Sequence, residues 1–184
     1  MKKLLLCSIA IISFGFANGQ EQTAKGKWLI EANTGFGSGV GSTRIGFDSV
    51  DGDSEYNFGA EGGYFVIDNL AIKVGLGYGG TSQKIVNPIN GASTTVNGSV
   101  FAYKIGAKYY VINTIPVELS YNGISTSNKV SGQKDPSYVG IQGGYAIFLG
   151  DNVSIEPGVR YNYSLDDKIA ESIIQFNVGF ALHF

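Results

Sequence analysis

From Trp28 to Phe184 the chain alternates large apolar residues with small or polar ones, period two, in eight segments separated by turn-forming residues. Strands with one apolar and one polar face are what such a pattern folds into. The segments run from Trp28 to Phe36, Tyr56 to Val66, Leu70 to Tyr78, Phe101 to Val111, Val117 to Gly123, Val139 to Ile147, Val153 to Tyr163 and Ile174 to Phe184. No position on the apolar phase is charged. Leu29, Phe65, Tyr110 and Phe148 are large residues that fall on the opposite phase, mostly near segment ends. The pairs Gly62-Gly63 and Gly143-Gly144 are expected to mark bulges or bends. With 27 glycines in 184 residues, long helices are heavily penalised. A net charge of −2 offers no basic stripe for a polyanion, so nucleic acid is not an expected partner. One Cys and one His leave too few ligands for a zinc site and too few imidazoles for most acid–base chemistry.

Residues 1–19 read as a secretory signal: Lys2 and Lys3, an apolar run from Leu4 to Phe16, then Ala17-Asn18-Gly19 as a small-x-small cleavage site. The run is shorter than the roughly 20 residues that span a bilayer as a helix. Residues 20–184 are then the exported domain. It lacks cysteine, because Cys7 lies in the leader, so no disulfide can hold it. Gln20 to Gly26 reads as a short polar lead.

The connections alternate in length. Ile67-Asp68-Asn69, Ile112-Asn113-Thr114 and Gly150-Asp151-Asn152 are tight turns, whereas Ser38 to Asp53, Gly79 to Gly98, Ser125 to Pro136 and Asp166 to Glu171 are long loops. Short turns at one end and long loops at the other are the topology of an all-β, eight-stranded antiparallel up-and-down transmembrane β-barrel. The polar face, rich in Gly, Ala, Ser and Asn, suits the narrow interior of such a barrel. The apolar face suits lipid, with aromatic residues such as Trp28, Tyr78, Phe101 and Tyr163 recurring near strand ends. The polar face carries Glu31, Glu61, Glu118 and Glu156 against Lys73, Lys104, Lys108 and Arg160, an expected interior charged layer. A symmetric turn at Ile112-Asn113-Thr114 sets Lys108 opposite Glu118, so Lys108→Ala is expected to leave Glu118 unpaired.

On these features the chain resembles the small eight-stranded outer-membrane barrels, of the outer membrane protein A transmembrane domain and outer membrane protein X type. Among them it is most similar to the porin-like outer membrane β-barrel proteins of Bacteroidetes. The likeness spans Trp28 to Phe184, and its sharpest element is the alternating last segment, Ile174 to Phe184, ending on an aromatic residue. It implies a cell outer-membrane location after export from a Gram-negative cytoplasm. It also implies lipid and the barrel-assembly machinery as partners, with Phe176, Phe180 and Phe184 as the assembly signal. Nothing follows Phe184, so the peptidoglycan-binding domain of full-length outer membrane protein A, and wall anchoring with it, is not implied.

Other motifs carry less. Gly35-x-Gly37-x-Gly39-x-Gly41 and Gly75-x-Gly77-x-Gly79 have no helix after them and read as strand glycines, not phosphate loops. Asp48, Asp51, Asp53 and Glu55 cluster without calcium-loop spacing, and Asp166-Asp167-Lys168 reads as a solvated turn. The single His, His183, falls near the tight-turn rim, away from the outer rim where barrel enzymes place their catalytic groups. No enzyme, cofactor or metal site is expected. The leading expectation is a structural or interaction barrel whose loops meet an extracellular partner. The alternative is a narrow porin-like channel for small solutes.

Overall fold

The computed structural model describes residues 21–36, 43–50, 53–86, 91–127 and 134–184, and the leader of residues 1–19 lies outside them. The strands are β1 (Trp28–Phe36), β2 (Gly46–Val50), β3 (Asp53–Ile67), β4 (Leu70–Val86), β5 (Ser93–Val111), β6 (Ile115–Thr126), β7 (Ser137–Gly144), β8 (Ile147–Phe148), β9 (Val153–Ser164) and β10 (Ile173–His183). Neighbours pair antiparallel in the order β1-β10-β9-β7-β6-β5-β4-β3, and a β1–β3 ladder from Trp28↔Tyr64 to Glu31↔Glu61 closes the ring. β7 and β8 form one wall strand, interrupted at Tyr145-Ala146. The wall is a closed eight-stranded antiparallel barrel. No described helix is long and apolar enough to cross a membrane, which leaves open a crossing by strands.

Alternation sorts the two faces. Leu76, Ile105, Leu119 and Ile141 are all more than half exposed on the outside, while Lys73, Lys108, Glu61 and Glu118, on the same strands or their neighbours, are at most 1% exposed inside. The outward apolar run on β5, Phe101 to Val111, covers about 25 Å along the barrel axis at the usual rise and tilt. Hydrogen-bonded pairing closes the wall at the tight-turn end, where the β1–β3 seam runs up to Glu31↔Glu61, and above it Arg44 bridges to Asn33 of β1.

The irregularities have local causes. The β3–β4 register shifts between Phe65 and Ile67, next to the turn, and the expected bulge at Gly62-Gly63 is absent, those residues pairing Val74 and Lys73 in an unbroken ladder. The seventh wall strand does break after Gly144. Tyr145 lies opposite Pro157 and Gly144 lies beside Pro116, and prolines have no N–H to give a ladder. In the β5–β6 turn Ile112 and Asn113 both have positive φ, 45° and 63°. That backbone favours Asn-Gly, and a β-branched residue there costs on the order of 1–3 kcal/mol.

Of the connections expected as long loops, the one from Gly79 to Gly98 is largely strand and the one from Ser38 to Asp53 is partly so. β3 begins at Asp53, β4 continues to Val86 and β5 starts at Ser93, with pairing unbroken from Gly79↔Val100 to Val86↔Ser93. β2 adds a further strand against the top of β3. A ribbon exposed on both faces carries no apolar alternation, so periodicity alone does not register it. The glycines Gly37, Gly39 and Gly41 lie outside the described residues, whereas Gly75, Gly77 and Gly79 are strand residues of β4.

Candidate functional site

The lumen is built in layers upward from the tight turns. At its foot Leu29, Phe65, Ala71, Tyr110, Ala146, Phe148 and Ala181 form the apolar cluster, into which His183 packs against Phe65, Tyr110 and Phe148 with ring centroids 5.5 to 6.2 Å apart. Four of these, Leu29, Phe65, Tyr110 and Phe148, are the large residues on the wrong phase. Below them the lead segment crosses the mouth. Gln22 donates to the Gly150 carbonyl, Thr23 bonds Asn69, and Gly26 N–H donates to Phe65 O at 2.9 Å, so the segment straps two turns together. Gln22 and Thr23 are buried, which a polar lead gives no reason to expect.

All eight predicted charged residues lie inside the barrel, in one connected group above the cluster. Glu31 and Glu61 face each other across the β1–β3 ladder, an arrangement that is repulsive alone. Lys73 bridges them: its Nζ lies 2.7 Å from each and 2.8 Å from Glu118. Lys104 pairs with Glu61 at 2.8 Å and with Glu118, while Lys108 pairs with Glu31 at 2.7 Å and with Glu156. Arg160 reaches Glu118 at 3.1 Å. Space for these side chains comes from small residues beside them on the wall, such as Gly63 and Gly106 flanking Lys73. Lys108 and Glu118 are cross-strand neighbours as expected, yet they are not each other's ion partners. Glu118 is held by Lys73, Lys104 and Arg160, so losing Lys108 takes an ion partner from Glu156 and Glu31 instead, and Glu31 keeps Lys73. Wall register fixes which side chains are adjacent, but long side chains pair along chords across the lumen.

Four negative charges meet four positive ones, so the layer is neutral as a unit. Glu31, Glu61 and Glu118 bring carboxylate oxygens within 4.8 Å of one another, as a metal site does. The Lys73 ammonium takes the central place that an ion would need. Glu156 also accepts from Tyr110 Oη at 2.8 Å and Ser154 Oγ at 2.9 Å, and Ser154 lies 3.0 Å from His183 Nε2. Because Ser154 gives its proton to Glu156, its oxygen accepts from the imidazole. That is opposite to the arrangement that activates a serine nucleophile.

Above the charges the wall carries amides. Asn162 donates to Gln175 at 2.6 Å, and Asn177 donates to Asn33 at 3.2 Å. Here the first loop folds inward: Ile45 N–H donates to Asn33 O at 2.9 Å, and Thr43, 2% exposed, donates to Glu61. Thr43 fits because Gly59 and Gly75 lack side chains, and a Cβ on Gly59 would lie 2.5 Å from Thr43 Cα. Gly59→Ala is therefore expected to expel this segment and destabilise the barrel by about 1–3 kcal/mol. Urea unfolding in micelles measures that loss, and an unchanged midpoint rejects the inward fold.

Of the acidic cluster, Glu55 pairs with Arg44 at 2.8 Å and Asp53 accepts from Lys84 N–H at 2.7 Å; Asp51 lies outside the described residues. Asp53 and Glu55 belong to the sheet of β2 and the upper parts of β3, β4 and β5, which rises above the barrel. Among the described residues the β5–β6 ladder ends at Val100↔Thr126, and β2 is the last strand on its side of the path. Phe47, 76% exposed, with Val50 and Ile85 puts apolar surface on this sheet.

Among solved structures, the outer membrane protein Ail of Yersinia pestis, determined in a phospholipid bilayer nanodisc, matches 87% of this chain with 100% of its own at 12% identity and a TM-score of 0.51. The fold is that of Ail. The N-terminal β-barrel domain of Pseudomonas aeruginosa OprF covers 87% of this chain and 98% of its own at 16% identity and a TM-score of 0.41. No protein-family model and no curated protein matches the sequence.

Proposed function

We propose that this chain is an integral outer-membrane barrel that acts as an interaction protein through the sheet raised above its long-loop end. The observation that carries the reading is the contrast between the two parts. The lumen is obstructed in series by the strap, the apolar cluster, the neutral charged layer and Thr43, whereas among the described residues the raised sheet ends on β2, a strand that a partner can extend. An outer strand offers a row of backbone donors and acceptors, and pairing with an extended peptide is a recurrent use of such an edge. The outward apolar belt supports lipid around the wall, and Phe176 and Phe180 on that face of β10, with Phe184 directly after it, are the proposed assembly signal.

The reading is tested with the exported chain in lipid nanodiscs, used to select binders from a displayed random-peptide library. Extended, β-branched sequences are expected to emerge, and Ser49→Pro in β2 is expected to abolish their binding while the protein keeps its heat-modifiable gel mobility. Failure to select any binder, or binders indifferent to Ser49→Pro, rejects the sheet as the working surface. Planar-bilayer recording is expected to be silent. Discrete conductance steps would instead establish the narrow channel for small solutes, with Lys73, Lys104 and Arg160 as its selectivity candidates.

A further inference from the structure

At the tight-turn end the wall finishes in four two-strand units: the hairpins β3–β4, β5–β6 and β8–β9, and the paired termini of β1 and β10, where Trp28 N–H donates to the Phe184 carbonyl at 2.6 Å. Each unit presents a large apolar side chain at its tip, and the paired ends of β1 and β10 present Trp28 beside Phe184. Ile67, Ile112, Leu149 and Phe184 are 54%, 57%, 61% and 53% exposed, the first three in turns whose remaining residues are polar or glycine. They recur at every second strand around the ring.

Ile67 and Ile112 are exposed against the alternation of their own strands. Two residues earlier on each strand stand Phe65 and Tyr110, both fully buried in the lumen, so an undistorted strand would turn Ile67 and Ile112 inward as well. The register shift after Phe65 removes Ile67 from that phase, and the left-handed backbone of Ile112 removes the other. Two unrelated distortions thus have one result. At Ile112 the distortion is unfavourable for a β-branched residue, and its side chain, left more than half exposed, recovers little of that cost within the chain. An apolar environment outside the chain would recover it.

The surroundings identify that environment. The four residues continue the apolar belt downward through Val66, Val111 and Leu182 without a polar gap. Lys25 and Lys27 of the strap lie at the same rim, tied to it by Lys25 N–H on Asp68 at 2.8 Å and Phe65 N–H on the Lys27 carbonyl at 3.0 Å. Apolar tips on a rim to which two lysines are tied by their backbone match the boundary between acyl chains and headgroup phosphates. We propose that Ile67, Ile112, Leu149 and Phe184 form a four-point lipid anchor that sinks the tight turns into the bilayer interface, with Lys25 and Lys27 against the phosphates.

This rests on the membrane reading above, and the test separates the two. Trp28 is the only tryptophan, so Trp28→Phe gives a blank background. Into it are placed Leu149→Trp at a tip, with Ile112→Trp as a second tip variant, and Ile105→Trp in mid-belt. Each refolded protein is inserted into phosphatidylcholine–phosphatidylglycerol vesicles. The expected result is strong quenching of the tip tryptophans by lipids brominated near the headgroup, several-fold protection from aqueous iodide, and quenching of the mid-belt tryptophan by deeply brominated lipids. Tip tryptophans open to iodide, beside a quenched mid-belt one, overturn the anchor and leave the membrane reading standing. Tips shielded from iodide yet untouched by brominated lipid also overturn it, since a protein then covers the ring. If even the mid-belt tryptophan is unquenched, the membrane reading fails and the anchor with it.

Discussion

Lys73→Met lowers the stability of the folded barrel by about 3–5 kcal/mol, the cost of leaving buried charge without its counterpart. Methionine nearly fills the lysine's volume, so the loss is electrostatic and not a cavity effect. Lys73 is the one group that touches Glu31, Glu61 and Glu118, at 2.7 to 2.8 Å, and without it the Glu31–Glu61 pair on adjacent strands faces itself. Lys108→Met is the matched control. Glu31 then keeps Lys73, and Glu156 keeps the Tyr110 and Ser154 hydroxyls, so the expected loss is smaller, about 1–3 kcal/mol. Urea unfolding in micelles, followed by Trp28 emission and by gel mobility before and after boiling, gives both values. Adding Glu61→Gln to Lys73→Met restores part of the loss, because one of the three facing charges is gone. Equal losses for the two lysines would show that the layer has no centre and that its charges are interchangeable.

What the sequence disclosed follows from where the determining contacts lie. Alternation is a property of single strands, so the eight wall segments and their two faces were legible from Trp28, Ile30 and Glu31 onward, and turn chemistry gave the order of long and short connections. The charged residues could be assigned to one face, but not to partners, because Lys108 bonds Glu156, 48 positions away, across the lumen and not along the wall. Leu29, Phe65, Tyr110 and Phe148 look like errors of phase when each strand is read alone. Counted from the nearest turn or terminus they share one level, and that is the signal that would have found the apolar cluster. Thr43 depends on two glycines on neighbouring strands, Gly59 and Gly75, a non-local fit that nothing in its own segment announces. The strap is invisible for a similar reason: Gln22 and Thr23 are buried through turn carbonyl and amide groups that come together only once the barrel closes. The raised sheet escaped because both its faces are exposed, and an apolar period reports burial, not pairing.

Ile105→Arg carries the second large effect, and its size depends on the solvent around the wall. Ile105 is 55% exposed at the middle of the outward run on β5, and its cross-strand neighbours on either side, Val74 and Tyr121, face the same way. In water, a charged residue at such a position shortens an exposed apolar patch and leaves stability within a few tenths of a kcal/mol. At the middle of a bilayer the same arginine costs about 2–4 kcal/mol, falling towards zero near the interfaces. Reversible unfolding from vesicles is therefore expected to show a loss of that size for Ile105→Arg and a much smaller one for Thr94→Arg, high on the raised sheet. The depth dependence matters more than either value. A bilayer imposes a gradient along the barrel axis that no property of the isolated chain reproduces, because all of these side chains are already outside the protein. A flat profile from position 94 to position 105 would place the whole wall in water and remove the environment on which the belt, the anchor and the raised sheet's outward display all depend.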